Sequence, residues 1–270
     1  KEYEQKYPDI IKPVYQKENQ FSKGISICKN FIFPRVKGKY VAICEGDDYW
    51  TDPNKLQKQV DFFEENPDYT VCFHRVKRIY DSLNRKSDIL PSYEMLKKAD
   101  TFDYKNLLKA NFIQNCSVML RWNIIEKPEQ RIPNKILTGD WYLALLFAKY
   151  GKIKMLDDVM SVYRVNTGGV WFGAYKNQNK FLCKTAIQRM AFYFGVYNKI
   201  TDKDPAYFIN EAFEQYKKII KVMKSEKEYK KYINFILRCT IPVYFTLIQI
   251  LLKTVLSQNK KFELVLKSLF

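Results

Sequence analysis

Histidine and closely spaced cysteines are nearly missing from this sequence. Among its 270 residues there are 1 His, at position 74, and 6 Cys. The two nearest cysteines, Cys28 and Cys44, are too far apart for a CxxC or zinc-finger motif, so a zinc site of that type is excluded. Scattered cysteines without a signal peptide predict reduced thiols and a cytoplasmic protein. We expect His74 to be packed within a strand rather than to act in catalysis.

The sequence also lacks an apolar run long enough to cross a membrane. Residues 239–252 carry no charge, but these 14 residues are fewer than a spanning helix needs. Arg238 and Lys253 flank the run. This pattern is typical of a helix lying on an anionic membrane surface, or of a helix buried against a domain, and both interpretations stay open.

Acidic residues are outnumbered by basic ones. There are 46 Lys and Arg against 29 Asp and Glu, a net charge of +17, and 18 of the basic residues follow position 175. Such an excess indicates a polyanionic partner, whether nucleic acid, anionic lipid or a phosphorylated substrate. No helix-turn-helix, RNA-recognition or zinc-finger signature is present, so we expect no nucleic-acid partner. With 47% hydrophobic residues, the chain can bury the core of one or two domains.

Three carboxylates stand within four residues, directly after a short apolar run. Residues 40–44 have the length and composition of a buried strand, and Glu45-Gly46-Asp47-Asp48 follows. Gly46 is expected to take a sharp backbone conformation that ends the strand, which lets Asp47 and Asp48 serve one site. Open α/β sheets bind ligands beyond the carboxyl ends of their strands, and oxygen ligands suit Mg²⁺ or Mn²⁺.

Helix capping is the alternative explanation of these acids. Asp52 with Pro53 is a good helix start, as N-cap and first helical residue. The predicted helix spans residues 53–66, with Leu56, Val60 and Phe63 at helical spacing. Capping explains Asp52, but Asp47 and Asp48 lie too far upstream. Because clustered carboxylates repel one another unless a cation offsets them, we favour a metal or ligand role for this pair.

Residues 37–57, KGKYVAICEGDDYWTDPNKLQ, resemble the family 2 glycosyltransferases of GT-A fold in register over the whole stretch. The resemblance implies an α/β protein with a Rossmann-like mixed sheet flanked by helices. It also implies that the acidic motif holds a divalent metal, Mg²⁺ or Mn²⁺, which bridges the diphosphate of a nucleotide-sugar donor. Asp48 would be the direct metal ligand, and Asp47 would contact the metal or the ribose. Trp50, just beyond the motif, is assigned to the acceptor side.

The first strands of the family's nucleotide-binding half have no counterpart in this sequence. Family members open with a strand and loop that hold the base, followed by a second strand ending in an acidic residue. Nothing before the acidic motif matches either, so we expect an N-terminally incomplete GT-A domain over residues 1–172. A basic helical C-terminal region is expected over residues 173–270, with helices at 173–199 and 205–224.

The spacing of apolar residues and breakers predicts the remaining elements. In chain order these are a helical stretch at 22–33, a strand at 69–76, a loop at 81–100, a helix at 103–110, a strand at 115–121, a helix at 138–150 and a strand near 153–156.

A second acidic candidate, Asp140, opens the predicted helix at 138–150. At a helix start an Asp can simply cap the helix or interact with its dipole. The resemblance implies instead that Asp140 is the general base of an inverting transfer and takes the proton from the acceptor hydroxyl, a step that suits a carboxylate. The neighbouring Trp141 would offer a stacking wall for an acceptor sugar ring, although a place in the core suits it equally.

Residues 162–171, VYRVNTGGVW, resemble the closing motif of the same family. In that motif Tyr-Arg is followed, after one residue, by a His that binds metal or diphosphate, and here that position holds Asn166. The resemblance assigns Arg164 and Asn166 to the donor diphosphate, and Asn166 to the metal as well. An amide oxygen ligates Mg²⁺ or Mn²⁺ without a charge, so a weaker grip is expected. Gly168-Gly169 predicts either a lid hinge or a plain turn.

These residues together predict a metal-dependent inverting glycosyltransferase. It would move a sugar from a nucleotide-sugar donor to a hydroxyl of a saccharide or lipid-linked acceptor, in the synthesis of cell-surface polysaccharide or glycolipid. The basic C-terminal region predicts peripheral attachment to the inner face of the membrane. One alternative is a catalytically inactive remnant acting as a binding module. A nucleic-acid binder is supported by charge alone.

Overall fold

The computed structural model describes residues 1–80, 85–94, 96, 99–133, 138–166 and 205–225, together with ten residues between 185 and 200. Contacts divide the chain into two compact units. The first consists of residues 1–135 and 139–164, and the second of residues 136–138 and 165–270. The predicted domain boundary after residue 172 stays a prediction.

Seven strands build the sheet. They are β1 (Tyr40–Ala42), β2 (Tyr49–Trp50), β3 (Tyr69–Tyr80), β4 (Asp88–Leu90), β5 (Thr101–Phe102), β6 (Met119–Arg121) and β7 (Lys152–Val165). The strands are ordered β1-β6-β3-β7-β2, and β4 pairs with β3 while β5 pairs with β7.

The sheet contains both parallel and antiparallel pairs. Because β6 is antiparallel to both β1 and β3, these two strands run in the same direction. At the start of β3 and β7 the Lys152 N–H donates to Asp68 O at 2.9 Å, and farther along both strands Arg75 pairs with Asp157, so β7 is also parallel to β3. β2, β4 and β5 are antiparallel to their partners. The α/β fold with a mixed sheet is thereby confirmed.

Helices cover the sheet and complete the core. In the first unit they are α1 (Glu2–Lys6), α2 (Lys55–Glu65), α3 (Tyr104–Lys109) and α4 (Gly139–Ala148). Residues 70–74 of β3 are buried without interruption, so this strand is covered on both faces. On α2, Phe63 packs against Cys72 and Met119 of the sheet. The predicted helices at 53–66, 103–110 and 138–150 are confirmed to within two residues at each end.

Helix α2 begins two residues later than predicted, and its buried face includes two polar residues. Asn54 is at its N-cap position, and Asp52 instead accepts the Asn54 N–H at 2.8 Å in the turn before the helix. The buried residues of the helix are Lys55, Gln59 and Phe63. Leu56, one of the apolar residues at helical spacing, is 42% exposed. The helix packs against the protein through Lys55, Gln59 and Phe63, which are spaced four residues apart. Two of these three buried residues are polar.

Two strands extend into stretches that the pattern assigned differently. β4 lies within residues 81–100, predicted as a loop, and pairs with the far half of β3 in the register Val76↔Leu90. β7 continues well past Leu156, so Tyr163 and Arg164 are strand residues rather than part of a closing loop. Strand pairing depends on the partner strand, which the local pattern does not contain.

Other predicted elements are shorter or less regular than expected. Residues 22–33 form short 3₁₀ and π turns rather than one helix, and residues 1–39, all described, contain no strand. Of the predicted strand at 115–121, Asn115–Ser117 is a 3₁₀ turn and Met119–Arg121 is the strand.

Most of the described residues of the second unit are helical, including those between 185 and 197, within the helix predicted at 173–199. Helix α5 (Pro205–Ser225) confirms the helix predicted at 205–224. Its Phe208 is 1% exposed and packs against the rings of Tyr193 and Tyr197. The predicted hinge at Gly168-Gly169 and the apolar run at 239–252 lie outside the described residues. In the part of the chain that is described, no helix is long and apolar enough to cross a bilayer.

Candidate active site

The acidic loop, residues 45–48, connects β1 to β2. Because β1 ends at Ala42, its alternation of side chains does not constrain the carboxylates. The Asp48 N–H donates to Glu45 O at 3.1 Å, which closes a turn. Gly46 lies in open space without a left-handed backbone, so the sharp conformation predicted for it is not what ends the strand.

Asp48 is the buried carboxylate of this loop, 9% exposed. Its Oδ1 accepts the backbone N–H of Arg164 at 2.9 Å, which ties the loop to the end of β7. Its Oδ2 is buried and has no hydrogen-bond partner within the described residues, although the Cys116 thiol, a weak donor, lies near the carboxylate. Burial raises the pKa of Asp48, against the lowering effect of the Arg164 N–H. A buried carboxylate oxygen without a partner is a candidate ligand for a cation.

Asp140 lies in the first turn of α4. Its carboxylate lies near backbone N–H groups at the helix start and near the Asn111 side chain, all of which favour its charged form and so lower its pKa. Such surroundings are typical of a capping carboxylate. The residue is exposed to solvent, yet desolvation by the surrounding protein raises the pKa of its carboxyl. Because the residue is exposed, a substrate hydroxyl can approach its carboxylate.

The fold brings the acidic loop close to Asp140. Burial raises the pKa of Glu45, and a hydrogen bond from the Asn115 side chain opposes this. Repulsion by Asp140 and by Asp48 raises the pKa of Glu45 further. Carboxylates from two distant parts of the sequence therefore form one acidic group, which a cation would stabilise by offsetting their repulsion.

Tyr163, on β7, lies within reach of all these charges. Burial raises its pKa to about 12, and Asp48, Glu45 and Asp140 add to the increase because they repel a phenolate. The phenol therefore stays protonated and keeps a donor O–H beside the acids. The sequence placed Tyr163 inside the closing motif but gave it no role, since only the path of β7 brings it to the acidic loop.

Residues 111–118, between α3 and β6, form a wall of the site that the sequence did not reveal. Asn111 lies near Asp140, Asn115 near Glu45, and the Cys116 thiol near Asp48, and each affects the pKa of that carboxyl. The pattern predicted a strand from residue 115 onward and assigned no element to residues 111–114. An asparagine at both ends of the NFIQN stretch was the available signal for polar contacts.

The two tryptophans assigned to the acceptor have different surroundings. Trp50 is 37% exposed, and its Nε1 donates to Cys116 O at 2.9 Å, so its ring is held at the edge of the site. Trp141 is 4% exposed and donates to Leu107 O at 2.8 Å. The structure thus gives Trp141 a place in the core, which is the alternative that the sequence had left open.

Part of the site suits a divalent cation. Asp48 and Asp47 offer carboxylate oxygens, and Mg²⁺ usually takes only one or two carboxylates and fills its shell with water and substrate phosphates. Among the described residues, no group of three or more His, Cys, Asp or Glu could hold a metal ion. Water and substrate phosphates would therefore have to complete the coordination shell. Asn166 belongs to the second unit, and its part as a ligand stays a prediction.

Comparison with known proteins agrees with this geometry. Residues 1–126, which include the acidic loop and the wall at 111–118, match the model of glycosyl transferase family 2. This part of the chain belongs to glycosyl transferase family 2. Asp140 and Tyr163 lie beyond the matched residues.

Relatives of this chain occur in bacteria and archaea. An uncharacterized Mycobacterium tuberculosis protein is 38% identical over 183 residues, 67% of this chain and 49% of the relative. An uncharacterized glycosyltransferase of Methanocaldococcus jannaschii is 24% identical over 216 residues, 79% of this chain and 66% of the relative. A Bacillus subtilis protein, described as a candidate teichuronic acid biosynthesis glycosyltransferase, is 27% identical over 175 residues, 64% of this chain and 65% of the relative. The chain spans about half the length of the mycobacterial relatives that it matches.

Proposed function

We propose that this chain carries the catalytic site of an inverting, metal-dependent glycosyltransferase. The observation that carries the proposal is the meeting of Asp140 with the acidic loop, beside the protonated phenol of Tyr163, in a chain with a family 2 segment. The donor is a nucleotide sugar, and the acceptor offers a hydroxyl.

The acidic loop holds the donor end of the site. Asp48, through its unpartnered Oδ2, and Asp47 are the metal ligands, with Asn166 as a further ligand. When bound, Mg²⁺ or Mn²⁺ offsets the charge of the donor diphosphate and of the departing nucleotide. Arg164 contributes positive charge beside Asp48. The same charge would attract the donor diphosphate.

Asp140 is the general base. Its raised pKa brings its proton affinity closer to neutral pH, where a base works best, while its exposed position leaves it open to an acceptor hydroxyl. The helix-start N–H groups and the Asn111 side chain lie near the carboxylate and favour its charged form. The exposed face of Trp50 supplies a stacking surface for the acceptor ring.

The acceptor is a saccharide or a lipid-linked saccharide, in cell-surface polysaccharide or glycolipid synthesis. The name of the Bacillus subtilis relative supports a polysaccharide product. The net charge of +17 supports a working place at an anionic membrane surface on the cytoplasmic side.

Substitution of Asp140 by Asn tests the base. The amide keeps the size of the side chain but cannot take a proton, so kcat should fall by about 10² to 10⁴ while donor affinity is unchanged. Transfer is measured with a panel of nucleotide sugars and oligosaccharide or lipid-linked acceptors, and donor affinity by calorimetry. Asp61→Asn, an exposed change on α2, is the matched control. Equal transfer by the parent and Asp140→Asn would contradict the role of Asp140, and donor binding without any transfer by the parent would favour a binding module.

A further inference from the structure

Helix α2 buries a lysine and a glutamine on the same face as the core residue Phe63. Lys55 is 1% exposed and Gln59 is fully buried. The Lys55 Nζ donates to Gln59 Oε1 at 2.8 Å, and the same Nζ lies 4.3 Å from the centre of the Trp50 ring. Gln59 therefore accepts from Lys55 with its oxygen and has both amide hydrogens left to donate.

Those two hydrogens go to the backbone of the sheet and of the site wall. Gln59 Nε2 donates to Cys72 O at 3.1 Å and to Ser117 O at 3.0 Å. The adjoining carbonyl, Cys116 O, accepts from Trp50 Nε1 at 2.9 Å. The Cys116–Ser117 backbone is thus held by two side chains, and both of these side chains contact Lys55.

This network costs stability, which argues against a purely structural role. Among the described residues no carboxylate pairs with Lys55, and burial lowers its pKa to about 8. A buried ammonium without a counter-ion is expensive, and an apolar residue of similar length is usually neutral or stabilising in its place. Residues that break the rules of core packing are most often found where function needs them.

We infer that Lys55 and Gln59 are positioning residues that hold the Trp50 ring and the Cys116–Ser117 backbone beside the acidic loop. The inference rests on the proposed transferase function, since it assigns these residues to the placement of the acceptor surface. Lys55 supports the inner face of the Trp50 ring by a cation–π contact. Gln59 fixes the end of the wall at 111–118, whose Asn115 and Cys116 contact Glu45 and Asp48.

Lys55→Met separates positioning from stability. The thioether side chain fills the same space without a charge, so the melting temperature should stay the same or rise. The KM for the acceptor should rise about tenfold, as is typical when a supporting contact is lost, while the KM for the donor changes less than about twofold. Lys152→Met is the matched control, because Lys152 is exposed, pairs with Asp68 and lies at the opposite end of β7. A stable Lys55→Met protein with parental acceptor KM would overturn the inference.

Tryptophan fluorescence tests the contact between Lys55 and Trp50 even if no sugar transfer is detected. Tryptophan emission of the parent should change with pH around a midpoint near pH 8, as Lys55 loses its proton beside Trp50, and Lys55→Met should lose this change. The other groups near Lys55 do not titrate there, because burial lowers the pKa of His74 to about 4 and raises those of Cys72 and Cys116 to about 12, and the pKa of Cys44 is also raised. A change that persists in Lys55→Met would overturn the contact.

Gln59→Glu is the second variant, in case Lys55→Met does not fold. Its carboxylate would pair with Lys55 but could not donate to Cys72 O or Ser117 O, so the emission midpoint should move to higher pH and the acceptor KM should rise. An unchanged midpoint and an unchanged KM would overturn the inference. Absence of transfer by every variant and by the parent would instead count against the proposed function, with the emission titration still testing the contact.

Discussion

At the scale of single residues, burial changes the chemistry of two side chains, Asp48 and His74. Asp48 has one oxygen bound to a backbone N–H and one buried without a partner. His74 is fully buried, with Nδ1 2.9 Å from Arg75 O and Nε2 without a partner in the described part of the protein. Each of these unpaired atoms has a measurable consequence.

Asp48→Asn should remove most of the affinity for Mn²⁺. The amide keeps an oxygen but loses the charge that attracts a hard cation, and it can still accept the Arg164 N–H. Isothermal calorimetry measures the affinity, and circular dichroism checks that the fold persists. Mn²⁺ binding equal to that of the parent would show that the acidic loop has a structural role only. Asp61→Asn again serves as the control.

Stability should fall as the pH is lowered from 6.5 to 4, because of His74. Burial lowers its pKa to about 4 in the folded protein, so below pH 6.5 the unfolded chain binds a proton that the folded protein does not. The full contribution is therefore present above pH 6.5 and amounts to about 3 kcal/mol over this range. Urea unfolding at several pH values measures it. The chain has 1 His, so His74→Gln removes the whole histidine contribution. An equal pH slope in His74→Gln would assign the effect to carboxylates instead.

At the scale of secondary structure, close approach between elements limits which residues fit. Gly151 stands between α4 and β7, and its spacing after the helix predicts a helix stop. The structure shows a stronger requirement. A Cβ at this position would lie 2.5 Å from Thr70 Cγ2 and 2.6 Å from the Asp68 backbone oxygen, at the start of β3.

Gly151→Ala should therefore destabilise the protein by about 1–3 kcal/mol, since the backbone of β3 must move to admit the methyl group. Thermal or urea unfolding measures the loss. Gly46→Ala is the matched control, because a Cβ there meets nothing within 4 Å, and it should leave stability within about 0.5 kcal/mol of the parent. Equal stabilities of the two variants would contradict the close approach.

At the scale of the whole molecule, charge is distributed unevenly along the chain. Residues 176–270 hold 18 Lys and Arg against 7 Asp and Glu, whereas the acidic group lies in the first unit. A basic segment of this kind, with an uncharged apolar run inside it, favours contact with anionic lipid.

Removal of residues 233–270 should release the protein from vesicles that contain anionic lipid and leave it in solution. The parent should bind such vesicles more weakly as salt increases and should not bind purely zwitterionic vesicles, since screening weakens the attraction of exposed charges. Sedimentation with vesicles measures both. Aggregation of the shortened chain would show that the apolar run is part of the core.

The sequence by itself determined the fold class, the main helices and the acidic loop. Periodic apolar residues specify α2, α3 and α5, because a helix places residues three and four apart on one face whatever surrounds it. Helix α4 is instead buried all round from Trp141 to Ala148. The acidic motif was recognisable because its residues are contiguous. Asp140 became a candidate base only through the family resemblance, since a helix start by itself equally suits a capping Asp.

Only the tertiary structure decided which side chains share the site. Asn111, Asn115 and Tyr163 reach the acids through the course of residues 111–118 and of β7, and strand pairing of that kind depends on partners distant in sequence. The packing of α2 against the sheet likewise decided that Lys55 is buried and that Leu56 is exposed. Helical spacing shows which residues share a face of the helix, but it does not show which face packs against the sheet. Burial and charge repulsion then set the proton affinities of Asp48, Asp140 and Tyr163, since desolvation depends on the folded surroundings of a group and not on its neighbours in the chain.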